Sequence, residues 1–128
     1  MANEPDPGAA AGNEDLSIIG RGESVFETAS ITGRLIRLEG PDEVLDLLDR
    51  GPEGHVVLIR DAGATFLAPL YHDLAGVICA GGTLRSHIGI VTRDFRLPCI
   101  MACEFSTEPA DGQHVELDCS DTVGVVRG

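Results

Sequence analysis

The feature that most constrains this chain is an apolar run that passes through two glycines into a segment with helical periodicity. The run is Ala75–Cys79, the glycines are Gly81 and Gly82, and the helix is predicted over Ser86–Arg96. Glycines allow a sharp turn and a close backbone approach to a ligand. The first turn of a helix attracts anions such as phosphate. The sequence therefore predicts a strand–turn–helix corner with an anion site at the turn.

Further strands and helices are predicted on both sides of this corner. Strands are expected at 29–38, 55–60, 99–102, 113–117 and 123–126, a helix at 41–50, and one or two helical turns within 64–71. Pro41 suits the first turn of a helix, and Gly51-Pro52 ends it. Strands that alternate with helices favour an α/β fold, and 128 residues suit one domain with one core.

The beginning of the chain differs in composition from the rest. Residues 1–22 are rich in Gly, Ala, Pro and Asn, contain four acidic residues and lack apolar periodicity. We expect them to form a disordered acidic tail, followed by one folded domain over 23–128. There is no signal-peptide pattern and no apolar run as long as a membrane span, so a cytoplasmic protein is expected. The starting Met and the tail favour a natural small protein over a piece of a larger enzyme.

Charge and cysteine spacing exclude several classes of function. The net charge of −12 repels nucleic acids and anionic membranes, so neither is expected as a partner. The four cysteines form no CxxC pair and lie in apolar contexts, which favours buried thiols over a metal site or a disulfide. They are Cys79, Cys99, Cys103 and Cys119. No metal site is expected.

A histidine at the start of the predicted helix is the candidate catalytic residue. His87 could act as a nucleophile toward phosphorus or as an acid or base. On a helical wheel Ile88, Val91 and Phe95 share the side expected to face the core, and His87 lies beside that side. Because such corners are common in α/β proteins, these residues alone also allow a purely structural role.

The stretch Gly81–Pro98, GGTLRSHIGIVTRDFRLP, resembles the phosphohistidine motif of the PEP-utilising enzyme family. That motif reads roughly Gly-Gly-x-Thr-Ser-His-x-Ala-Ile-Val-Ala-Arg-Glu-x-Gly-Ile-Pro. The family includes pyruvate phosphate dikinase, PEP synthase and enzyme I of the sugar phosphotransferase system. Segments 30–37 and 111–118 resemble the family's opening strand and its late "DGxxVxxD" stretch. The resemblance covers about residues 28–127.

The resemblance implies a single swivelling β/β/α phosphohistidine domain, which takes a phosphoryl group at one active site and delivers it at another. By position, His87 is the carrier residue. Gly81, Gly82, Thr83, Ser86 and Arg93 are the phosphate-binding residues that it implies. Arg85 is added to them because an arginine two residues before His87 can hold two phosphate oxygens at once.

Several differences separate this chain from the motif. One more residue lies between the glycine pair and His87, and Arg85 stands two residues before the histidine, where the family has Thr. Gly89 replaces the motif's Ala, and Asp94 replaces its Glu. The hydrogen-bonding role of the family's Thr therefore does not transfer directly to this chain.

The function implied by the resemblance is that of a phosphotransferase component similar to PEP synthase or phenylphosphate synthase, inactive without partner subunits. A chain of 128 residues cannot hold the ATP-grasp and acceptor-site domains that the family usually fuses to this one. The expected partners are an ATP-grasp or other nucleotide-binding protein and an acceptor-site protein. Mg²⁺ and ATP are expected on the partner, with no cofactor on this chain. The donor would be ATP or PEP, and the acceptor pyruvate or a phenol-like hydroxyl.

Two other classes of function are alternatives to this one. A non-catalytic regulatory or interaction module could keep the fold and lack transfer, and the altered loop around Arg85 is its main support. A hydrolase built on Ser86 and His87 is disfavoured, because adjacent residues cannot form a nucleophile–base pair and no GxSxG elbow is present.

Overall fold

The computed structural model describes residues 16–128, which form seven strands and two helices. The strands are β1 (Ile18–Ser24), β2 (Ile31–Arg37), β3 (His55–Ile59), β4 (Gly76–Cys79), β5 (Cys99–Phe105), β6 (His114–Asp118) and β7 (Val123–Arg127), and the helices are α1 (Pro41–Arg50) and α2 (His87–Asp94). A short 3₁₀ turn spans Ala68–Leu70. The predicted α/β class is confirmed, and β1 is the one strand among these that the sequence did not predict. No helix in residues 16–128 is long and apolar enough to cross a membrane.

The seven strands close into one mixed barrel in the order β1-β5-β4-β3-β2-β6-β7. Strands β2, β3, β4 and β5 pair in parallel, and their connections contain the two helices. Strands β1, β6 and β7 pair antiparallel and join β5 back to β2. The architecture is a mixed barrel with two helices, and the predicted swivelling β/β/α arrangement is not confirmed.

Alternate residues of the parallel strands enter two different apolar cores. Val56 and Leu58 of β3 join a cluster to which all seven strands contribute, which is the barrel interior. Val57 and Ile59 of the same strand join a second cluster, which also contains buried residues of both helices. Because successive side chains point to opposite faces of a strand, β3 must be apolar at nearly every position.

The predicted tail boundary is wrong at its carboxyl end, because residues 18–22 belong to β1. Ile19 is buried in the barrel, and a Cβ on Gly22 would lie 2.4 Å from the carbonyl oxygen of Met101. Gly20 and Gly22, which fall in the predicted disordered tail, allow β1 to pack closely against β5. The rest of the predicted tail, residues 1–15, lies outside the described residues.

A β-bulge interrupts β5 where it passes the end of β4. The pairing between β1 and β5 shifts register at this point. Met101 packs in the outer cluster and Cys103 in the barrel interior, although two residues of a regular strand that are two positions apart share one face. Ala102 between them has φ of 53°, in the left-handed region. One extra residue in β5 therefore turns its backbone toward the end of β4.

The core-facing side of α2 differs from the prediction at one position. Ile88 is fully buried and Val91 is half-buried, but Phe95 is 41% exposed. Phe95 follows the last helical residue, and Arg96 turns left-handed with φ of 57°. Helical periodicity therefore does not extend to position 95. Thr92 takes the buried position one turn after Ile88, and its hydroxyl donates to the Ile88 carbonyl oxygen at 2.7 Å.

The four cysteines are buried free thiols, which confirms the prediction for them. Burial raises the pKa of Cys79, Cys99 and Cys119, and it raises the pKa of Cys103 to about 12. A thiol whose pKa is raised in this way stays protonated at neutral pH and is a poor nucleophile. The cysteines therefore pack as small apolar residues.

Candidate functional site

The candidate site lies at the carboxyl ends of the adjacent parallel strands β3 and β4. The segment after β3 contains Ala62, and the segment after β4 leads to His87 at the start of α2. The backbone N–H of Ile88 donates to the carbonyl oxygen of Ala62 at 3.0 Å, and that of Ala80 donates to Ile59 at 2.9 Å. The first turn of α2 is therefore held against the end of the neighbouring strand.

Gly82 lies where no other residue fits. Its φ is 74°, in the left-handed region. A Cβ at this position would lie 2.4 Å from the Cβ of Ala62 and 2.7 Å from Oγ of Ser86. Both the backbone conformation and the available space require glycine at position 82. The turn predicted at the glycine pair is confirmed, and Ala62 forms its opposite wall.

Residues 83–86 form a compact turn with its own hydrogen bonds. The backbone N–H of Thr83 donates to Oγ of Ser86 at 2.9 Å, and the N–H of Ser86 donates to the Thr83 carbonyl oxygen at 3.0 Å. The N–H of Arg85 donates to Oγ1 of Thr83 at 3.1 Å. Both hydroxyl oxygens accept within the turn, and a hydroxyl that accepts can still donate its proton. Thr83 and Ser86 thus fix the turn and keep a donor for an anion.

His87 is an exposed residue at the first position of α2. Ser86 occupies the N-cap position, but its hydroxyl is bonded back to Thr83 and makes no side-chain cap of the helix. Within residues 16–128, no acceptor is found for the backbone N–H of His87 or of Gly89. Unpaired N–H groups in the first turn of a helix are donors for an anion. The site therefore combines an accessible imidazole with donors suited to phosphate.

Two of the predicted phosphate-binding residues line a groove beside this turn. The groove has a volume of about 390 Å³ and is lined by Leu84, Arg85, Ile90, Arg93 and Asp94. Arg85 is exposed, and its guanidinium forms no ion pair or hydrogen bond within the described part of the chain. Nη2 of Arg93 donates to the carbonyl oxygen of Val25 at 2.9 Å. The Arg85 side chain in the turn thus has no partner within the described residues, whereas Arg93 is hydrogen-bonded to the segment after β1.

The segment around His87 has a net positive charge in an acidic chain. Arg85, Arg93 and Arg96 against Asp94 give residues 80–98 a net charge of +2, whereas the whole chain has a net charge of −12. The positive charges of this segment favour the approach of an anion to the imidazole. No group of three or more His, Cys, Asp or Glu side chains within residues 16–128 is arranged to hold a metal ion.

Three residues contribute to the site without having been singled out for it in the sequence. The carbonyl oxygen of Ala62 accepts the Ile88 N–H, the N–H of Ala102 donates to the Gly81 carbonyl oxygen at 3.1 Å, and Gly89 leaves space in which a Cβ would lie 2.6 Å from the Leu84 carbonyl oxygen. The end of the apolar run at 55–60 could have indicated Ala62, because the carboxyl ends of parallel strands meet at one edge. No sequence pattern indicates Ala102, because its role depends on the bulge in β5.

Comparison with protein families gives one match. The family described as "PEP-utilising enzyme, mobile domain" matches residues 51–122, which include β3, β4, the glycine turn, α2, β5 and β6. The matched range contains His87 and all the predicted phosphate-binding residues. No curated protein matches the sequence.

Solved structures match the chain weakly. An MccF-like protein from Streptococcus pneumoniae in complex with AMP has 11% identity and a TM-score of 0.49, over 81% of this chain and 43% of that chain. A structure described as novel cellulases from microbes associated with the gut ecosystem has 18% identity and 0.49, over 80% and 62%. An uncharacterized protein from Pseudomonas syringae pv. tomato str. DC3000 has 12% identity and 0.46, over 81% and 61%. The chain thus spans less than two thirds of each, and at these TM-scores none supports a conclusion about function.

Proposed function

The chain belongs to the family of PEP-utilising enzyme mobile domains, and on that premise we propose that it is a phosphoryl carrier that works through His87. Membership implies phosphotransferase chemistry at the level of the family. The observation that best supports His87 as the carrier is its place after the Gly82 turn, exposed and next to unpaired backbone N–H groups. An anion bound there would lie beside the imidazole.

The proposed reaction has two steps. A ring nitrogen of His87 attacks phosphorus, an N–P bond forms, and the P–O bond to the donor breaks as the leaving group takes its electron pair. In the second step an oxygen of the acceptor attacks the same phosphorus and the N–P bond breaks. Such transfer depends on positioning and charge neutralisation more than on other covalent chemistry. Thr83, Ser86 and the free Arg85 supply hydrogen-bond donors on this side of the phosphoryl group.

The proposed donor is ATP bound to a separate ATP-grasp partner with Mg²⁺, or PEP. The acceptor is a small molecule such as pyruvate or a phenol-like hydroxyl, and it is held by an acceptor-site protein. The domain swivels between the donor site and this acceptor site. The chain contains no GxxxxGK[ST] phosphate loop of its own. We therefore expect the purified chain alone neither to turn over ATP nor to phosphorylate small molecules.

Phosphorylation of His87 tests the proposal directly. The chain is mixed with an ATP-grasp partner, Mg²⁺ and ATP, and its intact mass is measured with His87→Ala as the control. The wild-type chain should gain one phosphoryl group that is lost in acid and stable in base, as expected of an N–P bond. Label that survives acid, or label on His87→Ala, would contradict the assignment. Absence of any label with both ATP and PEP systems would favour a non-catalytic module instead.

A further inference from the structure

Gly89 lies in the first turn of α2, two residues after His87, and it is buried. A Cβ at this position would lie 2.6 Å from the carbonyl oxygen of Leu84, 3.0 Å from its carbonyl carbon and 3.2 Å from the carbonyl oxygen of Thr83. All three are backbone atoms, which cannot rotate away as the end of a side chain can. The peptide groups of the turn therefore occupy the space that a side chain at 89 would take.

The turn that rests on Gly89 also determines where His87 begins. Thr83 and Ser86 are joined in both directions, by Thr83 N–H to Ser86 Oγ and by Ser86 N–H to the Thr83 carbonyl. Ser86 is covalently bonded to His87. A shift of the Thr83 and Leu84 carbonyls away from position 89 would move this whole unit, and with it the first residue of the helix.

Helix propensity gives no reason for glycine at this position. Glycine is one of the poorest helix formers, and alanine, the residue of the resembled motif, is the best. The turn before His87 is one residue longer than in that motif, and the carbonyl closest to position 89 belongs to Leu84 in this longer turn. The longer turn needs the space that the missing Cβ leaves free.

We infer that Gly89 is a positioning residue for His87, and that the extra turn residue and the glycine at 89 act as a matched pair. The expected effect on phosphorylation rests on the proposed function, since the imidazole that Gly89 positions is the group proposed to accept the phosphoryl group. Replacing Gly89 by Ala should displace the turn and the imidazole, even though it improves helix propensity.

The experiment compares four proteins: wild type, Gly89→Ala, Gly89→Ala with Leu84 deleted, and Gly40→Ala. Gly40 is a matched control because a Cβ there meets no atom within 4 Å and its φ of −167° suits any residue. Two quantities are measured in each protein. One is the set of His87 imidazole ¹H–¹⁵N chemical shifts. The other is the rate of His87 phosphorylation by potassium phosphoramidate, a small donor that releases ammonia and needs no partner.

Gly89→Ala should shift the His87 resonances and slow phosphorylation by about 10- to 100-fold, the size of effect that a misplacement near 1 Å can cause. Gly40→Ala should leave both unchanged. Deleting Leu84 in the Gly89→Ala background should return the resonances and most of the rate, because the shortened turn no longer needs the space at 89. If Gly89 only stabilised the fold, the His87 resonances and the phosphorylation rate would stay unchanged in folded Gly89→Ala.

Unchanged resonances and rate in Gly89→Ala would overturn the inference. If Gly89→Ala does not fold, the double variant decides: recovery of folding and of the His87 resonances supports the pairing, and failure of both overturns it. If wild type is not phosphorylated by any donor, the proposed function fails. The imidazole resonances of the four proteins still test the positioning role in that case.

Discussion

The backbone N–H of Ala102 donates to the carbonyl oxygen of Gly81 at 3.1 Å, which joins the bulge of β5 to the turn before His87. Ala102 makes this bond with φ of 53°, a conformation that costs an L-residue roughly 1–2 kcal/mol. Strained backbone of this kind persists where the surrounding structure holds it, and it clusters at functional sites. The strain at Ala102 is thus located at the anchor of the candidate phosphate turn.

Ala102→Gly should raise the free energy of unfolding by about 0.5–1 kcal/mol, because relief of the positive φ exceeds the added entropy of the unfolded chain. Denaturant titration measures this change. Ala110→Gly is the control, since Ala110 is exposed and does not have a positive φ. That substitution should lower stability by up to about 1 kcal/mol. A loss of equal size in both variants would contradict the strain at Ala102.

Gly82→Ala should destabilise the protein more than Gly112→Ala. Both glycines have positive φ, of 74° and 85°, so both substitutions add a similar backbone strain of about 1–2 kcal/mol. A Cβ on Gly112 meets nothing within 4 Å, whereas a Cβ on Gly82 would lie 2.4 Å from Ala62. The overlap should add about 1–3 kcal/mol. Equal losses of unfolding free energy in denaturant titrations of the two variants would show that the turn shifts to accept a Cβ at position 82 without cost.

Arg85→Ala should slow phosphorylation of His87 by about 10- to 100-fold, if its guanidinium makes a charged hydrogen bond of about 1.5–3 kcal/mol to the transferred group. Arg85→Lys should recover part of the rate, because a point charge keeps the attraction and loses the two-oxygen geometry. Single-turnover rates of phosphorylation and dephosphorylation measure the effect. If Arg85→Ala matches wild type in both directions, Arg85 has no part in transfer.

Arg93→Gln should lower the free energy of unfolding by about 1 kcal/mol, because the substitution removes the hydrogen bond that the guanidinium donates to the Val25 carbonyl oxygen. Its effect on the phosphorylation rate should be smaller than that of Arg85→Ala, since Arg93 lies six residues along the helix from His87 and has a backbone partner. Thermal melts and the single-turnover assay separate the two effects. A rate loss in Arg93→Gln as large as in Arg85→Ala would instead favour direct phosphate binding by Arg93.

The free energy of unfolding should fall as pH rises above about 9. Burial raises the pKa of Cys103 to about 12, so this thiol stays protonated in the folded state while it ionises in the unfolded state. The contribution of the Cys103 thiol to the free energy of unfolding is therefore complete below pH 9 and is lost as pH rises from 9 toward 12. Urea titrations at pH 8, 9 and 10 measure the slope, and Cys103→Ala should have a smaller slope. An identical slope in the variant would show that Cys103 is already ionised or exposed in the folded protein.

Much of the candidate site could be predicted from the sequence because its determinants are local. The Gly81-Gly82 pair, the helix that starts after Ser86 and the position of His87 all depend on residues close in the chain, and the structure places them as predicted. Whether these residues bind phosphate stays a prediction. The prediction failed where a residue's environment comes from a distant segment.

The amino-acid sequence by itself determined the α/β class, the positions along the chain of all strands but β1, and the turn before His87. Periodicity and glycine placement act over a few residues, so these features depend on local sequence. Tertiary structure alone decided that the strands close into a barrel, because closure depends on β1, β6 and β7 pairing across long separations. It also decided that Gly22 lies in a strand and that Ala102 anchors Gly81. A close approach between backbones far apart in the chain leaves no periodic pattern in either segment.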